Sequence, residues 1–95
     1  NPVNPLDVAV GASGTGNMSN SGVVTTTNAN DLLVGANYVQ TSTTGPGAGF
    51  TQRLITVPNG SILEDRVVTT TGSYSATAPV SGAGWVMQLV AIIEP

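Results

Sequence analysis

Apolar and polar positions along this chain recur at a period of two, and no window sustains the three-to-four spacing of an amphipathic helix. The alternation is cleanest at 74–80, where Tyr74, Ala76, Ala78 and Val80 are separated by Ser75, Thr77 and Pro79. This predicts a strand with one face on a core and the other toward solvent. Over 31–40 a second strand is predicted, with Leu32, Val34, Ala36 and Tyr38 as its apolar face and Leu33, Gly35, Asn37 and Val39 as a mixed one. Over 85–93 the pattern changes. Trp85, Met87, Leu89, Ala91 and Ile93 form one apolar face, and Val86, Val90 and Ile92 make the other apolar too. Such a strand is expected in a central position covered on both sides, with Trp85 and Leu89 almost wholly buried.

Shorter strands are expected at 7–11 and at 23–27, where Val23, Val24 and the three threonines are all β-branched. A Gly/Ser/Asn-rich loop is expected between them, at 12–22. Two further strands, 51–57 and 62–70, flank Pro58-Asn59-Gly60-Ser61. An Asn-Gly pair between β-rich runs predicts a hairpin closed by a type I′ turn. The entry segment 1–5 carries two Asn-Pro steps and reads as extended chain, and 42–49 reads as a flexible Gly/Pro turn. Seven short strands joined by hairpin-scale connections imply an all-β protein, an antiparallel β-sandwich or jelly roll in a single domain over 1–95. The similar segments 23–28 and 67–72 do not extend into their flanks, so they are read as shared Thr-rich vocabulary rather than a repeat.

Composition narrows the chemistry. Of 95 residues, 12 are Gly and only 7% are charged, with two cations against five acids, a net charge of −3. Arg53 and Arg66 without any Lys cannot neutralise a run of phosphates, which excludes nucleic acid and anionic membrane surfaces as partners. The absence of Cys and His removes disulfides, thiolate metal sites and the usual neutral-pH base. The apolar run at 85–93 is about half of what a membrane-spanning helix needs. Thr, Ser, Asn and Gly richness with no Lys fits an extracellular or cell-surface protein. The first residue is Asn rather than Met and no leader-like segment follows, so the chain reads as a processed or excised piece.

The candidate chemistry is sparse. Glu64 and Asp65 are adjacent carboxylates, but neighbours on a strand face opposite ways and cannot flank one bond together. They are expected instead in a solvated row, Glu64 and Arg66 sharing a face with Arg53 nearby. Asp31 with Asn28 and Asn30 carries the oxygen ligands a Ca²⁺ ion prefers, yet the spacing matches no known loop, and the reading is a turn without a metal or cofactor. Sugar recognition needs an exposed ring beside amides and hydroxyls. Trp85, Tyr38 and Tyr74 continue apolar faces and read as core, which leaves Phe50, after a Gly-rich loop, as the candidate ligand-binding residue. Asn17-Met-Ser19 and Asn59-Gly-Ser61 match the glycosylation acceptor pattern by chance vocabulary.

Taken in order, Asn4-Pro-Leu-Asp7, Asn28-Ala-Asn-Asp-Leu-Leu-Val-Gly35, Gly49-Phe-Thr-Gln-Arg53, the run from Glu64-Asp65 to Ala78, and Trp85-Val-Met-Gln-Leu-Val-Ala91 resemble a known pattern. It is the C-terminal part of a recurrent, poorly characterised β-sandwich domain of secreted and cell-surface bacterial proteins. The resemblance implies a longer parent domain with further strands upstream, and it carries no catalytic or ligand residue over to a position in this chain. The expectation is therefore a non-enzymatic extracellular module with a structural role, in which low-charge strand edges pair with neighbouring copies or with missing strands. The alternative is a carbohydrate-binding or adhesion module beside a secreted enzyme or adhesin, with polysaccharide as partner.

Overall fold

The computed structural model describes residues 5–58 and 60–93. Within them the chain is all-β, with nine strands: β1 (Leu6–Thr15), β2 (Met18–Asn20), β3 (Val24–Thr25), β4 (Asp31–Val39), β5 (Thr51–Ile55), β6 (Ile62–Val68), β7 (Ser73–Tyr74), β8 (Thr77–Pro79) and β9 (Gly84–Ile93). Among the described residues there is no helix, and so none long and apolar enough to cross a membrane. Every pairing is antiparallel. Five strands form one sheet in the order β1-β9-β4-β6-β5, while β2 pairs with β8 and β3 with β7.

The two small pairs are one ribbon. Ser21 and Ala76 bridge the gap between them: the Ser21 amide donates to the Ala76 carbonyl at 2.9 Å, and the Ala76 amide donates to Ser21 Oγ at 2.9 Å. Substituting a hydroxyl for a backbone carbonyl interrupts the ladder without leaving a buried donor unpaired. Thr43 adds an isolated bridge to Val80 at one end. This ribbon is the second layer of a β-sandwich, and the core between the layers gathers Leu33, Ile62, Met87, Leu89 and Ala91 from the large sheet against Val24, Ala76 and Ala78 from the ribbon.

Several expectations change here. The expected loop at 12–22 is largely strand, because β1 runs on to Thr15 beside β9 and β2 begins at Met18. On β4 the apolar reading had the faces reversed: Asp31, Leu33, Gly35, Asn37 and Val39 point into the core, and Tyr38 is exposed. Gly35 and Asn37 explain the reversal. A Cβ on Gly35 would sit 2.8 Å from Ala76 Cβ and 3.1 Å from Glu64 Oε2, so the missing side chain is what lets the ribbon close on the sheet. Asn37 accepts from the Ile62 amide at 2.8 Å and donates to Ser19 Oγ at 3.2 Å and Thr43 Oγ1 at 3.0 Å, tying both layers together. A buried amide satisfied this completely fixes register rather than weakening the core.

The strand at 84–93 is central, as its two apolar faces suggested, with β1 on one side and β4 on the other. Its second face is not covered by any described residue. Met87, Leu89 and Ala91 are fully buried, Trp85 is only half-buried, and Val86 is exposed on the opposite side. The hairpin at 51–70 is present, with β5 and β6 paired and the Thr56 amide donating to the Ser61 carbonyl at 2.9 Å. The type I′ assignment rests on Asn59, which lies outside the described residues. Gly60 is required for another reason, since a Cβ there would meet Ser42 Cα at 2.7 Å while the Gly60 carbonyl accepts from the Thr43 amide at 2.7 Å. Gly60→Val is accordingly expected to cost ~1–3 kcal/mol by overpacking. An unchanged melting temperature would contradict that close approach.

Candidate binding surface

Each residue singled out in the sequence now has a place. Phe50, the expected ligand platform, is a core residue at 7% exposure. Gly49 adopts φ +82°, and the Phe50 amide donates to the Gly47 carbonyl at 3.1 Å, so the glycine turn folds the ring inward under the sheet instead of presenting it. Tyr74 is half-buried with both ends engaged. Its hydroxyl donates to the Thr70 carbonyl at 2.8 Å, and the Arg66 guanidinium sits 5.4 Å from its ring centre. The aromatic that faces solvent is Tyr38, at 60% exposure, which sequence reasoning had placed inside.

Tyr38 stands at one end of the outer face of the five-stranded sheet, over a shallow groove of about 440 Å³. Val86 and Trp85 give the groove an apolar side, and Ser13, Thr15 and Gln40 supply hydroxyls and an amide. Gly14 allows the Trp85 indole to lie against β1, where a Cβ would sit 2.8 Å from Cζ2. The Trp85 indole N–H is buried there without a partner among the described residues. The rest of the outer face is largely apolar, with Gln88 of β9 as an exposed amide at its centre. Leu32, Val34 and Ala36 are half-buried among their neighbours, and Leu63 and Val67 are exposed. At its β5 side the face carries an ion pair, Arg53 Nε to Asp65 Oδ2 at 2.9 Å. Being exposed, that pair contributes on the order of 0.2–1 kcal/mol.

The adjacent carboxylates do point to opposite faces, but Glu64 is not in a solvated row. It is fully buried, Oε1 accepts from the Gly47 amide at 2.9 Å, and Oε2 has no partner among the described residues. Burial raises its carboxyl above the usual range, only partly offset by the Gly47 amide, and favours the neutral acid. A raised folded pKa stabilises the fold most below the unfolded value of 4.5, and that contribution is lost as pH rises through the folded value. Glu64→Gln keeps the shape without the charge. It should match the parent protein's melting temperature near pH 4 and exceed it at pH 7.5; a lower melting temperature at pH 7.5 would show an ionised, functional Glu64.

The two free edges of the large sheet differ. Strand β5 carries Arg53 and a register shift between Gln52 and Leu54, both devices that discourage strand addition. Strand β1 has its irregularity at its start, between Leu6 and Val8, and from Val8 to Thr15 it bears no charge and no proline. Its backbone pairs with β9 on one side, and no described backbone group bonds to the other.

A third feature was legible only in part. Asp31, Asn28 and Asn30 are indeed close, since Asn28 Nδ2 donates to Asp31 Oδ1 at 3.1 Å and to the Asn30 carbonyl at 2.7 Å. The structure adds Asp7, distant in sequence. Skipped in the β1–β9 register, Asp7 turns to the 26–30 loop, where its carboxylate accepts from Thr27 Oγ1 at 2.5 Å and from the Thr27 and Asn28 amides at 3.0 and 3.2 Å. Among the described residues no three His, Cys, Asp or Glu side chains converge. Comparison with protein-family models, with characterised proteins and with solved structures finds no match.

Proposed function

We propose that this chain is a non-catalytic extracellular β-sandwich module with a structural role, joining neighbouring copies by strand addition at the free edge of β1. The observation that carries the reading is the contrast between the two sheet edges. An edge strand of this length normally bears a charge, a proline or a bulge that blocks pairing, and β1 beyond Val8 has none of them whereas β5 has two. The low charge of the whole chain works in the same direction, since 7% charged residues leave little long-range repulsion between copies.

The test is the solution mass by light scattering over a concentration series. The parent protein should grow from monomer to higher species as concentration rises, and Ala12→Lys, which places a charge at an exposed position on that edge, should stay monomeric while melting at an unchanged temperature. A parent protein that remains monomeric throughout would overturn the reading. A carbohydrate-binding role is the second reading, favoured by the exposed Tyr38 ring beside Ser13, Thr15 and Gln40. It predicts retardation in polysaccharide-containing gels that Tyr38→Ala abolishes, and no retardation of the parent protein would remove it.

A further inference from the structure

We propose that Asp7 and Asp31, together with the 26–30 loop, form a binding site for one hard divalent cation of the Ca²⁺ type. The site is built from two strands of the large sheet and the loop that arrives from the ribbon. Strand β1 delivers Asp7 through its irregular start, and β4 opens with Asp31 on the inner face, paired between Val68 and Ile93. The loop that leads from β3 into β4 crosses between them and clasps Asp7 with three hydrogen bonds from Thr27 and Asn28.

Three observations point to a cation. The first is that Asp31 is fully buried and its Oδ2 is reached by no donor among the described residues. A buried carboxylate oxygen left bare is costly, and buried charges are paired or bound to metal. The second is that Asn28 ties the two carboxyls together, its amide donating to Asp7 Oδ2 at 3.2 Å and its Nδ2 to Asp31 Oδ1 at 3.1 Å, and neither arginine is available to neutralise them: Arg53 holds Asp65 and Arg66 lies over Tyr74. Two carboxylates that close need either a shared proton or a bound cation. The third is the donor set, which is oxygen throughout: two carboxylates, the Thr27 hydroxyl and, once its amide is turned over, Asn28 Oδ1. Oxygen ligands of mixed type on a loop suit Ca²⁺, with water completing its six to eight ligands, and they do not suit Zn²⁺ in a chain with neither His nor Cys. Thr27 and Asn28 hold the Asp7 carboxylate in place through three hydrogen bonds.

With only two carboxylates, the affinity expected is that of extracellular modules, roughly 10⁻⁴–10⁻³ M. The experiment is a calorimetric and thermal-melting titration of the EDTA-treated chain with CaCl₂ at pH 7.5, with MgCl₂ and NaCl at matched ionic strength as controls. One Ca²⁺ should bind per chain, and at ten times the dissociation constant the melting temperature should rise by about 5 °C or more. Mg²⁺ should give a much smaller rise, because it demands a tighter octahedral shell. Asp31→Asn should abolish the Ca²⁺ response while melting no lower than the cation-free parent, since it removes one charge from the pair. Asp7→Asn, on the more exposed member, supplies a second variant with the same expected loss. A parent protein showing neither binding heat nor a melting shift with Ca²⁺ would overturn the proposal and leave the pair held by a shared proton, and a response that survives undiminished in both variants would place the ion elsewhere.

Discussion

Leu89→Ala is expected to destabilise the fold by ~2–5 kcal/mol, the range for removing a fully buried leucine whose surroundings collapse only in part. Leu89 lies at the centre of β9, flanked by Gly35 of β4 and Val10 of β1, and belongs to the core cluster that includes Ala76 and Ala78 of the ribbon. Gly35 and the two alanines offer no long side chain to swing into the space. The cavity should therefore persist, and the loss should fall in the upper part of the range. For a domain of this size, whose total stability is about 5–15 kcal/mol, the melting temperature should drop by more than about 10 °C. Chemical denaturation of the two proteins side by side measures the difference, and a loss under about 1 kcal/mol would mean that the layers do not meet at Leu89.

The second large effect is expected at Gly47→Ala. A Cβ at this position would collide with the Thr77 carbonyl oxygen and hydroxyl, so the 44–49 loop would have to lift from β8. Lifting it withdraws the Gly47 amide, the one described donor to the buried Glu64 carboxyl. Overpacking of about 1–3 kcal/mol then adds to an unsatisfied buried acceptor costing about 1–3 kcal/mol. The two costs share one cause, which makes a test of coupling possible. In Glu64→Gln the second cost changes character, because an amide that loses its donor is neutral at every pH. The penalty of Gly47→Ala should consequently grow with pH in the parent background and stay level in the Glu64→Gln background. Equal, pH-independent penalties in both would separate the loop from Glu64.

How far the sequence revealed this architecture depended on whether a position's role was carried by its own side chain or by a neighbour's. The alternation at Ala76, Ala78 and Val80 and the inner face of the last strand at Met87, Leu89 and Ala91 lie where they were expected, because burial there is achieved by apolar side chains alone, whereas the expected cover over the second face of 85–93 and over Trp85 is not found among the described residues. Strand β4 was assigned the wrong inner face, since its inner face works through an absence at Gly35 and a hydrogen-bond network at Asn37, both of which look like surface positions in one dimension. Glu64 misled for the same reason: a carboxyl on a strand reads as solvated until the 44–49 loop is folded over it. Phe50 and Tyr38 exchanged roles, one turned inward by the glycine preceding it and the other turned outward with the rest of its face. The Asp7–Asp31 pair was the least legible feature. Asn28, Asn30 and Asp31 are neighbours in sequence, whereas Asp7 joins them only through the irregular start of β1, for which no local pattern exists.

The central claim, that the β1 edge is where copies meet, is tested most directly by hydrogen exchange of the intact chain at low and high concentration. In a dilute monomer the β1 amides that face away from β9 should exchange fast, while those of β9 and β4 are protected by pairing on both sides. Raising the concentration should slow exchange at those outward β1 amides selectively, and Ala12→Lys should cancel the slowing. Exchange along β1 that is slow already in the monomer, or that does not change with concentration, would contradict the claim.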